Sequence, residues 1–471
     1  MKSRQPWSDT NVERMLRSID PATGQELATY PEADEAAIEA AIAEAWKVRT
    51  GWRDAGIEHR ARLLKAVAGV LRADKARYGS ILTAEMGKPI VEAEAEVEKC
   101  AWTAGWIADN AARLLADEQI DSSASRSYVR YLPLGVVLAV MPWNFPFWQV
   151  FRAGLPALAA GNVMLLKHAS NVPQSALAIE EVFREAGLPD GVFQTLLVGP
   201  KAVDRIINDR RVAGVTLTGS EAAGAHVAET AGKALKKSVL ELGGSDPFIV
   251  LADADVATAA TVACRARNQN NGQSCIAAKR FIVVDEVADD FEKRFVAAVG
   301  ALKVGDPMDR GNQVGPLARA DLVDALERQV RESVAMGARV LTGGKRLDGK
   351  GNYFQPTVLG GVTPKMPVFR EESFGPVAAL IRVRDAEEAV QVANDSDFGL
   401  GSAIWTADVE KAREMAGRVE AGMVFINGMV ASDARLPFGG VKRSGFGREL
   451  SEIGIREFTN AQTVWIGPAR T

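Results

Sequence analysis

Residues 135–142, GVVLAVMP, begin a series of short apolar runs that decides the fold class of this chain. Three similar runs follow at 162–168 (NVMLLKH), 192–199 (VFQTLLVG) and 212–219 (VAGVTLTG). Segments of helical length, such as SALAIEEVFREAG and EAAGAHVAETAG, separate these runs. Because strands that alternate with helices imply right-handed crossovers, the pattern predicts an α/β unit with a parallel sheet.

A second series follows SVLEL at 238–242. It contains DPFIVL, a helix over about 256–268, KRFIVV, a helix through FEKRFVAAVGALK, and then AALIRV, AIWTA and GMVFING. We therefore expect a second α/β unit after the first. The segments at about 125–135 and 457–466 lie outside both series and contain β-type residues, which indicates outlying strands of the kind that often pair across subunits.

Residues from about 36 to 115 show apolar positions at helical spacing, in AIEAAIAEAWKV, HRARLLKAVAGVLRA and VEKCAWTAGWIADNAARLL. They predict a helical layer before the first sheet. The full length of 471 residues is too great for one ordinary core and indicates two or three packed units.

Composition and charge exclude several classes of protein. The net charge of −4 and the absence of a long Lys/Arg run argue against a nucleic-acid partner. No stretch approaches the roughly 18 apolar residues of a membrane span. The first 20 residues lack the apolar centre of a secretory signal, so we expect a cytoplasmic protein with no membrane contact.

The cysteines and histidines do not form a metal-binding pattern. Cys100, Cys264 and Cys275 lack CxxC spacing, and the three histidines form no HExxH motif, so we expect no metal. Three free cysteines suit a reducing compartment. Cys100 and Cys264 lie within amphipathic helices and are interpreted as core residues.

Cys275 stands in NNGQSCIAAKRF, after a glycine-containing turn and before a strand, where a thiol can be exposed at a loop tip. The alternative is a buried core cysteine, because free cysteines are usually buried. Its polar neighbours Asn270, Asn271, Gln273 and Ser274 favour the functional interpretation, since they do not form an apolar core run.

Glu241, in VLELGGSDP, ends an apolar strand, and Gly243 and Gly244 after it allow a ligand or another backbone to approach closely. Such a glutamate is either a paired structural charge or, if it is desolvated, a general base with a raised pKa. Asn144, between Pro142 and Pro146 in AVMPWNFPFW, is either an ordinary turn residue or a preorganised donor for an oxyanion.

The segment LTGSEAAG places Gly219 and Ser220 between a strand and a helix, with Gly224 one turn later. Backbone N–H groups at a helix N-terminus bind phosphate. The spacing is not the GxGxxG of the common dinucleotide fingerprint, so this segment alone is a weak indication.

Eight segments together resemble the aldehyde dehydrogenase superfamily in order and approximate spacing, from about residue 20 to the end: PWNFP, LLKHAS, TLTGS, LELGG, NGQSC, EESFGP, FING and PFGGVKRSGFGRE. The resemblance implies two Rossmann-type α/β domains and a small oligomerisation β-extension. The implied nucleotide-binding domain covers 1–120 and 138–240, the catalytic domain 241–447, and the oligomerisation segments 121–137 and 448–471. A homodimer or homotetramer is expected.

The resemblance also implies the reaction, in which an aldehyde is oxidised to an acid with NAD or NADP. Cys275 is the implied nucleophile, and the Asn144 amide with the Cys275 N–H stabilises the oxyanion. Glu241 then deprotonates the water that hydrolyses the thioester.

The implied cofactor contacts are Trp143, Lys167, Ser170, Gly219, Ser220, Glu372 and Phe374. Many NAD-preferring relatives have a Glu at the position of Ser170, where it repels a 2′-phosphate. Since Ser170 is neutral and Lys167 is cationic, we expect NADP to be preferred over NAD.

Among subfamilies, KHASNVPQ, GGSDPFIVL, QSCIAAKRFIV and SDARLPFGGVKRSGFGREL most resemble the bacterial succinate-semialdehyde dehydrogenases. The implied substrate contacts are Trp148, Arg152 and Ser432, with Arg152 binding the carboxylate. The alternative for Arg152 is an ordinary surface charge. Gln269 stands where some of these enzymes have a second Arg, which indicates a broader substrate range.

Three other functions stay open on the sequence. The first is the same chemistry on glutarate semialdehyde or an aliphatic aldehyde. A cysteine hydrolase of amides or nitriles is the second, although the implied nucleotide contacts argue against it. An inactive binding scaffold is the third, and the combination of Cys275, Glu241 and Asn144 argues against it.

Overall fold

The computed structural model describes residues 15–467. Residues 1–14 and 468–471 lie outside the described part. The predicted absence of a secretory signal rests largely on residues 1–14, which lie outside it. The first residues of the predicted segment 1–120 and the last residues of the predicted segment 448–471 also lie outside the described part.

A hairpin and four helices precede the first sheet, and they are β1 (Met15–Ile19), β2 (Glu26–Pro31), α1 (Glu35–Asp54), α2 (Ile57–Ala73), α3 (Lys75–Met86) and α4 (Ile90–Leu114). Asp34 caps α1 by accepting a hydrogen bond from the backbone N–H of Ala37 at 2.8 Å. The predicted helical layer is confirmed. The hairpin was not predicted from the sequence, and it pairs antiparallel.

The first strand and helix series has the predicted alternation. Its elements are β3 (Glu118–Gln119), β4 (Arg126–Pro133), β5 (Val136–Met141), α5 (Pro146–Ala160), β6 (Val163–His168), α6 (Pro173–Glu185), β7 (Phe193–Thr195), α7 (Ala202–Asn208), β8 (Val212–Thr218), α8 (Glu221–Lys233) and β9 (Lys237–Glu241). Apolar residues fill both faces of the central strands, as expected for a parallel sheet covered by helices.

The second series starts directly after the first. Its elements are β10 (Asp246–Val250), α9 (Val256–Asn268), a 3₁₀ turn (Gln269–Gly272), β11 (Ala278–Val284), α10 (Asp285–Gly300), α11 (Ala320–Ala335), β12 (Arg339–Thr342), β13 (Thr357–Gly360), α12 (Pro367–Arg370), β14 (Val377–Val383), α13 (Ala386–Asn394), β15 (Phe398–Gly399), β16 (Gly401–Trp405), α14 (Val409–Ala416) and β17 (Met423–Ile426). The C-terminal elements are β18 (Val441–Lys442), β19 (Gly445–Phe446), α15 (Ser451–Arg456) and β20 (Thr459–Ile466).

Two largely parallel sheets result. The first has the order β19-β9-β8-β5-β6-β7, and its only antiparallel pair joins β19 to β9. The second has the order β12-β13-β14-β11-β10-β16-β17, and only its edge strand β12 is antiparallel. The predicted α/β class with two such units is confirmed.

A third sheet consists of β20, β4 and β3, in that order. The two outlying segments are strands as predicted, and β4 and β20 pair with each other over eight residues of the same chain. In the part of the chain that the structure describes, no strand pairs with the other edge of β20.

None of the helices within residues 15–467 is long and apolar enough to cross a membrane. The same residues contain no group of three or more His, Cys, Asp or Glu side chains arranged to hold a metal ion. The domain boundaries given in the sequence analysis stay a prediction, and so does the cytoplasmic location.

Candidate active site

Cys275 lies where two cavities meet. The larger cavity has a volume of about 320 Å³, and among its lining residues are Lys99, Trp148, Arg152, Arg265, Gln269 and Ser432. The smaller cavity has a volume of about 220 Å³, and among its lining residues are Trp143, Asn144, Gly219, Ser220, Glu372 and Phe374. Cys275 and Gln149 line both cavities. A thiol at this junction can react with a molecule that enters from either side.

Buried polar side chains hold the turn before Cys275. Asn270 and Asn271 adopt left-handed backbone conformations, with φ of 58° and 56°, which asparagine tolerates better than most residues. The Asn271 amide donates to the carbonyls of Gly87 at 2.8 Å and Pro316 at 2.9 Å. The polar neighbours of Cys275 are buried, which was not expected of a loop tip, whereas Cys275 itself is half-buried and so remains partly exposed.

A lysine fixes the backbone on the other side of Cys275. Lys279 is buried, and its Nζ donates to the carbonyl of Ser274 at 2.9 Å and to that of Cys275 at 2.8 Å. Arg267 contributes a further bond to the carbonyl of Ala278 at 3.1 Å. These contacts set the direction of the Cys275 backbone N–H and side chain before any ligand binds.

Burial raises the pKa of the Cys275 thiol to about 12, although the nearby Arg152 and Lys279 act in the opposite direction. The thiol of the free protein is therefore protonated near neutral pH. The thiolate is the reactive form of cysteine, so catalysis at this residue requires a proton acceptor or a further positive charge.

Glu241, at the end of β9, combines burial with unsatisfied oxygens. It is 2% exposed, and neither carboxylate oxygen has a hydrogen-bond partner within the described residues. Desolvation, followed by the negative charge of Glu449, raises its pKa well above the ordinary value, and Arg152 opposes the shift. A carboxylate with these properties is a competent general base near neutral pH.

A glycine makes room for this carboxylate. Gly439 has φ of 149°, and a Cβ atom built on it would lie 2.7 Å from Glu241 Oε1. Any larger residue there would displace the side chain of Glu241. The segment PFGGVKRSGFGRE thus places a glycine where only a residue without a side chain leaves room for the carboxylate of Glu241.

Asn144 follows β5 and directs its amide toward the turn that carries the cysteine. Its Nδ2 donates to the carbonyl of Gln273 at 3.1 Å, and its Oδ1 accepts a long bond of 3.5 Å from Gln149. The side chain is buried and lines the smaller cavity. An amide donor in this place can stabilise negative charge that develops next to Cys275.

The smaller cavity has the features of a dinucleotide site. Helix α8 begins at its wall, and Ser220 caps the helix by accepting from the N–H of Ala223 at 3.4 Å. Glu372 accepts from the N–H of Gly244 at 3.0 Å, and a Cβ atom at Gly243 would lie only 2.6 Å from this carboxylate. A carboxylate suited to ribose hydroxyls and a helix N-terminus suited to phosphate thus share one cavity.

The other predicted cofactor residues occupy two places. Trp143 and Phe374 meet edge to face, with ring centroids 5.6 Å apart, at the smaller cavity. Lys167 is the last but one residue of β6, Ser170 lies two residues after the strand, and neither lines one of the two cavities. Burial lowers the pKa of Lys167, and the nearby carboxylate of Glu32 counteracts this shift.

Arg152 lines the larger cavity as predicted, but its charge already has a partner in the protein. The side chain is 1% exposed and forms an ion pair with Glu449, which is also buried. Its Nη2 donates to Thr218 Oγ1 at 3.3 Å, and the guanidinium lies 4.2 Å from the ring centre of Phe438. The expected role of Arg152 as the carboxylate ligand stays a prediction, because a substrate would have to compete with Glu449.

Comparison with known proteins identifies the family. The model of the aldehyde dehydrogenase family matches residues 7–464. The chain belongs to this family. A probable succinate-semialdehyde dehydrogenase [NADP(+)] of Synechocystis sp. is 52% identical over 96% of this chain and 99% of its own length. Sad, the succinate semialdehyde dehydrogenase [NAD(P)+] of Escherichia coli, is 52% identical over 95% of this chain and 97% of its own.

A solved structure agrees with the fold of this aldehyde dehydrogenase. The succinic semialdehyde dehydrogenase of Streptococcus pyogenes, crystallised with NADP⁺ as the cofactor, superposes with a TM-score of 0.94. It is 40% identical and covers 96% of this chain and all of its own. The family and the fold predicted from the motifs are confirmed.

Sequence reasoning missed several residues that shape the site of this aldehyde dehydrogenase. They are Lys99, Gln149, Arg267, Lys279 and Glu449. Lys279 lies four residues after Cys275 in NNGQSCIAAKRF, so its position in the sequence could have indicated that it lies near Cys275. Lys99 lies on α4, in the middle of an amphipathic helix, where nothing distinguishes it from a lysine that reaches out to water.

Proposed function

We propose that this aldehyde dehydrogenase oxidises succinate semialdehyde to succinate, with NADP⁺ preferred over NAD⁺. The observation that carries the proposal is the position of Cys275 between a cavity suited to a dinucleotide and a cavity lined by the cations Lys99, Arg152 and Arg265. The relatives named above, which act on succinate semialdehyde according to their names, support the choice of substrate.

Glu241 first takes the proton of the Cys275 thiol and passes it to solvent, the thiolate attacks the aldehyde carbon, and the carbonyl electrons move to the oxygen. The Asn144 amide and the backbone N–H of Cys275 stabilise this oxyanion. When bound, NADP⁺ would supply the redox chemistry as the acceptor of the hydride of that carbon, and Cys275 would then hold the acyl group as a thioester. Glu241 removes a proton from water, the water attacks the thioester, and the C–S bond breaks to release the acid and the thiolate.

The chain's own residues fit the cofactor. Glu372 would bind the nicotinamide ribose, and Gly219, Ser220 and the start of α8 would bind the pyrophosphate. Trp143 and Phe374 would enclose the nicotinamide ring. At the adenosine end, the cation of Lys167 and the neutral hydroxyl of Ser170 favour a 2′-phosphate, since no carboxylate stands at residue 170.

The test compares two aldehydes and two cofactors. The formation of reduced cofactor is followed by its absorbance with succinate semialdehyde and with butanal, a neutral aldehyde of the same carbon number. We expect the highest kcat/KM with succinate semialdehyde and NADP⁺. Equal kcat/KM for both aldehydes would refute the proposed substrate, and a higher value with NAD⁺ would refute the cofactor preference. Inactivity with every aldehyde would favour the hydrolase or the inactive scaffold.

We also propose a homodimer or homotetramer in the cytoplasm. The edge of β20 is available for pairing, and Trp465 and Ile466 are exposed there, which is a surface that another copy can cover. The free cysteines suit a reducing compartment. Light scattering of the full chain should give the mass of two or four copies, and a monomer would contradict this proposal.

A further inference from the structure

The larger cavity is lined by the buried Arg152 and the half-buried Lys99, two cations that differ in their partners. Arg152 is paired with Glu449. Lys99 has no carboxylate oxygen within 4.0 Å of its Nζ among residues 15–467. Its Nζ instead donates to Ser432 Oγ at 2.6 Å and lies 4.2 Å from the ring centre of Trp148. Arg265 also lines this cavity but is exposed to water, so Lys99 is the cation that is partly shielded from water and yet lacks a carboxylate partner among the described residues.

The acidic groups closest to Lys99 are already occupied. Glu96, one turn earlier on α4, forms a buried ion pair with Lys88 and accepts from the backbone N–H groups of Phe147 and Trp148. Asp433, next to Ser432, is paired with Arg435. Burying a charge without a partner costs free energy, and a negatively charged ligand would remove this cost.

We propose that Lys99, held by Ser432, binds the carboxylate of the aldehyde substrate, and that Arg152 acts on catalysis through Glu449. This inference rests on the proposed oxidation of a carboxylate-bearing aldehyde. Lys99, Trp148 and Ser432 line the same cavity as Cys275. A small aldehyde with its carboxylate at Lys99 thus occupies the cavity into which the thiol opens.

The charge environment of Lys99 makes this binding sensitive to pH. Burial, and then the positive charge of Arg152 on α5, lower the pKa of Lys99 to about 8. Cys100 and Glu96 on α4 and Asp433 after β17 act in the opposite direction. The remaining charged residues that line the cavity are Glu92 and Arg265. Since only the protonated amine attracts a carboxylate, binding of the acidic substrate should weaken as the pH rises above about 8.

The deciding variant is Lys99→Met, which keeps the length of the side chain and removes the charge. The measured quantity is the ratio of kcat/KM for succinate semialdehyde to kcat/KM for butanal. We expect this ratio to fall about 10-fold to 100-fold, mainly through KM, because one charge-assisted contact is lost. Lys99→Arg should recover part of the ratio. The matched control is Lys65→Met, since Lys65 is an exposed helix lysine paired with Asp109, and it should leave the ratio as it is.

The outcomes separate this inference from the proposed function. If the unmodified enzyme prefers succinate semialdehyde and Lys99→Met retains that preference, the role of Lys99 is refuted and the proposed function stands. If the unmodified enzyme shows no preference between the two aldehydes, succinate semialdehyde is refuted as the substrate, and the role of Lys99 in binding its carboxylate is refuted as well.

A second measurement needs no variant at Lys99. The KM of the unmodified enzyme for both aldehydes is determined from about pH 6.5 to about pH 9.5, a range that spans the titration of this amine. The KM for succinate semialdehyde should rise toward the alkaline end, and that for butanal should change much less. A KM for succinate semialdehyde that stays constant, or that rises in parallel with the KM for butanal, would overturn the inference.

Discussion

Replacement of Arg152 by Met tests how the buried charges of the site work together. Arg152 is paired with Glu449, and it lowers the pKa of Glu241 against the effects of desolvation and of Glu449. Methionine removes the charge and retains much of the side-chain volume. Glu241 then remains near the negative charge of Glu449 without the cation that opposed it, so Glu241 is expected to hold its proton to higher pH.

The size of the effect follows from this arrangement. A nearby cation favours the charged form of a carboxylate, so the loss of Arg152 should raise the pKa of Glu241 further above its ordinary value. A rise of about one unit reduces the deprotonated fraction of Glu241 about tenfold at any pH well below its pKa.

The assay follows hydrolysis of the acyl-enzyme without the redox step. p-Nitrophenyl acetate acylates Cys275, and the steady-state release of p-nitrophenol then reports the hydrolysis that depends on Glu241. In Arg152→Met, the rise of this rate with pH should move about one unit toward alkaline pH. A second substitution, Glu449→Gln, should move it part of the way back, because the repelling charge is gone.

A different outcome would refute this reasoning. If Arg152→Met has the same pH profile as the unmodified enzyme and raises only the KM for succinate semialdehyde, Arg152 contacts the substrate carboxylate. The first expectation from the sequence would then be correct, and the coupling through Glu449 would be rejected.

Four further predictions concern the remaining site residues. Glu241→Gln should slow thioester hydrolysis about 10²-fold to 10⁴-fold and leave one rapid turnover of reduced cofactor per site, and the absence of that burst would contradict the role of Glu241. Alkylation of Cys275 in the free enzyme by iodoacetamide, followed by peptide mass mapping, should become about tenfold faster per pH unit over the range below its pKa of about 12, whereas a plateau near neutral pH would contradict the buried thiol. Asn144→Ala should lower kcat about 10²-fold to 10³-fold, and a change confined to KM would argue against an oxyanion contact. Ser170→Glu should lower the ratio of kcat/KM with NADP⁺ to kcat/KM with NAD⁺ at least about tenfold, and an unchanged ratio would place the 2′-phosphate elsewhere.

The fold was largely predictable because its signal is local. The strands named in the sequence analysis are short apolar runs bounded by turn residues, and α9 has the predicted range of about 256–268. The hairpin at 15–31 was missed, since its strands are short and most of their residues are exposed or only half-buried. The return of β19 to pair with β9 joins residues far apart in sequence, so no local pattern indicates it.

Site residues could be predicted from the sequence only where they lie within a recognisable motif. Cys275, Asn144 and Glu241 stand in segments whose turns and glycines are visible in the sequence. Arg152 pairs with Glu449, and Lys99 donates to Ser432 and has no carboxylate partner among the described residues. Both arrangements depend on residues that are far apart in the sequence. Whether a buried cation is neutralised or free to bind a ligand cannot be determined from its own neighbours in sequence.

The most direct test of the central claim is to isolate the covalent intermediate. Glu241→Gln is mixed with succinate semialdehyde and NADP⁺, quenched in acid after the first turnover, digested and analysed by mass spectrometry, with Cys275→Ala as the control. The account predicts a succinyl group on the peptide of Cys275 and none in the control. Formation of NADPH without a succinyl group on Cys275, or equal formation of NADPH by Cys275→Ala, would contradict it.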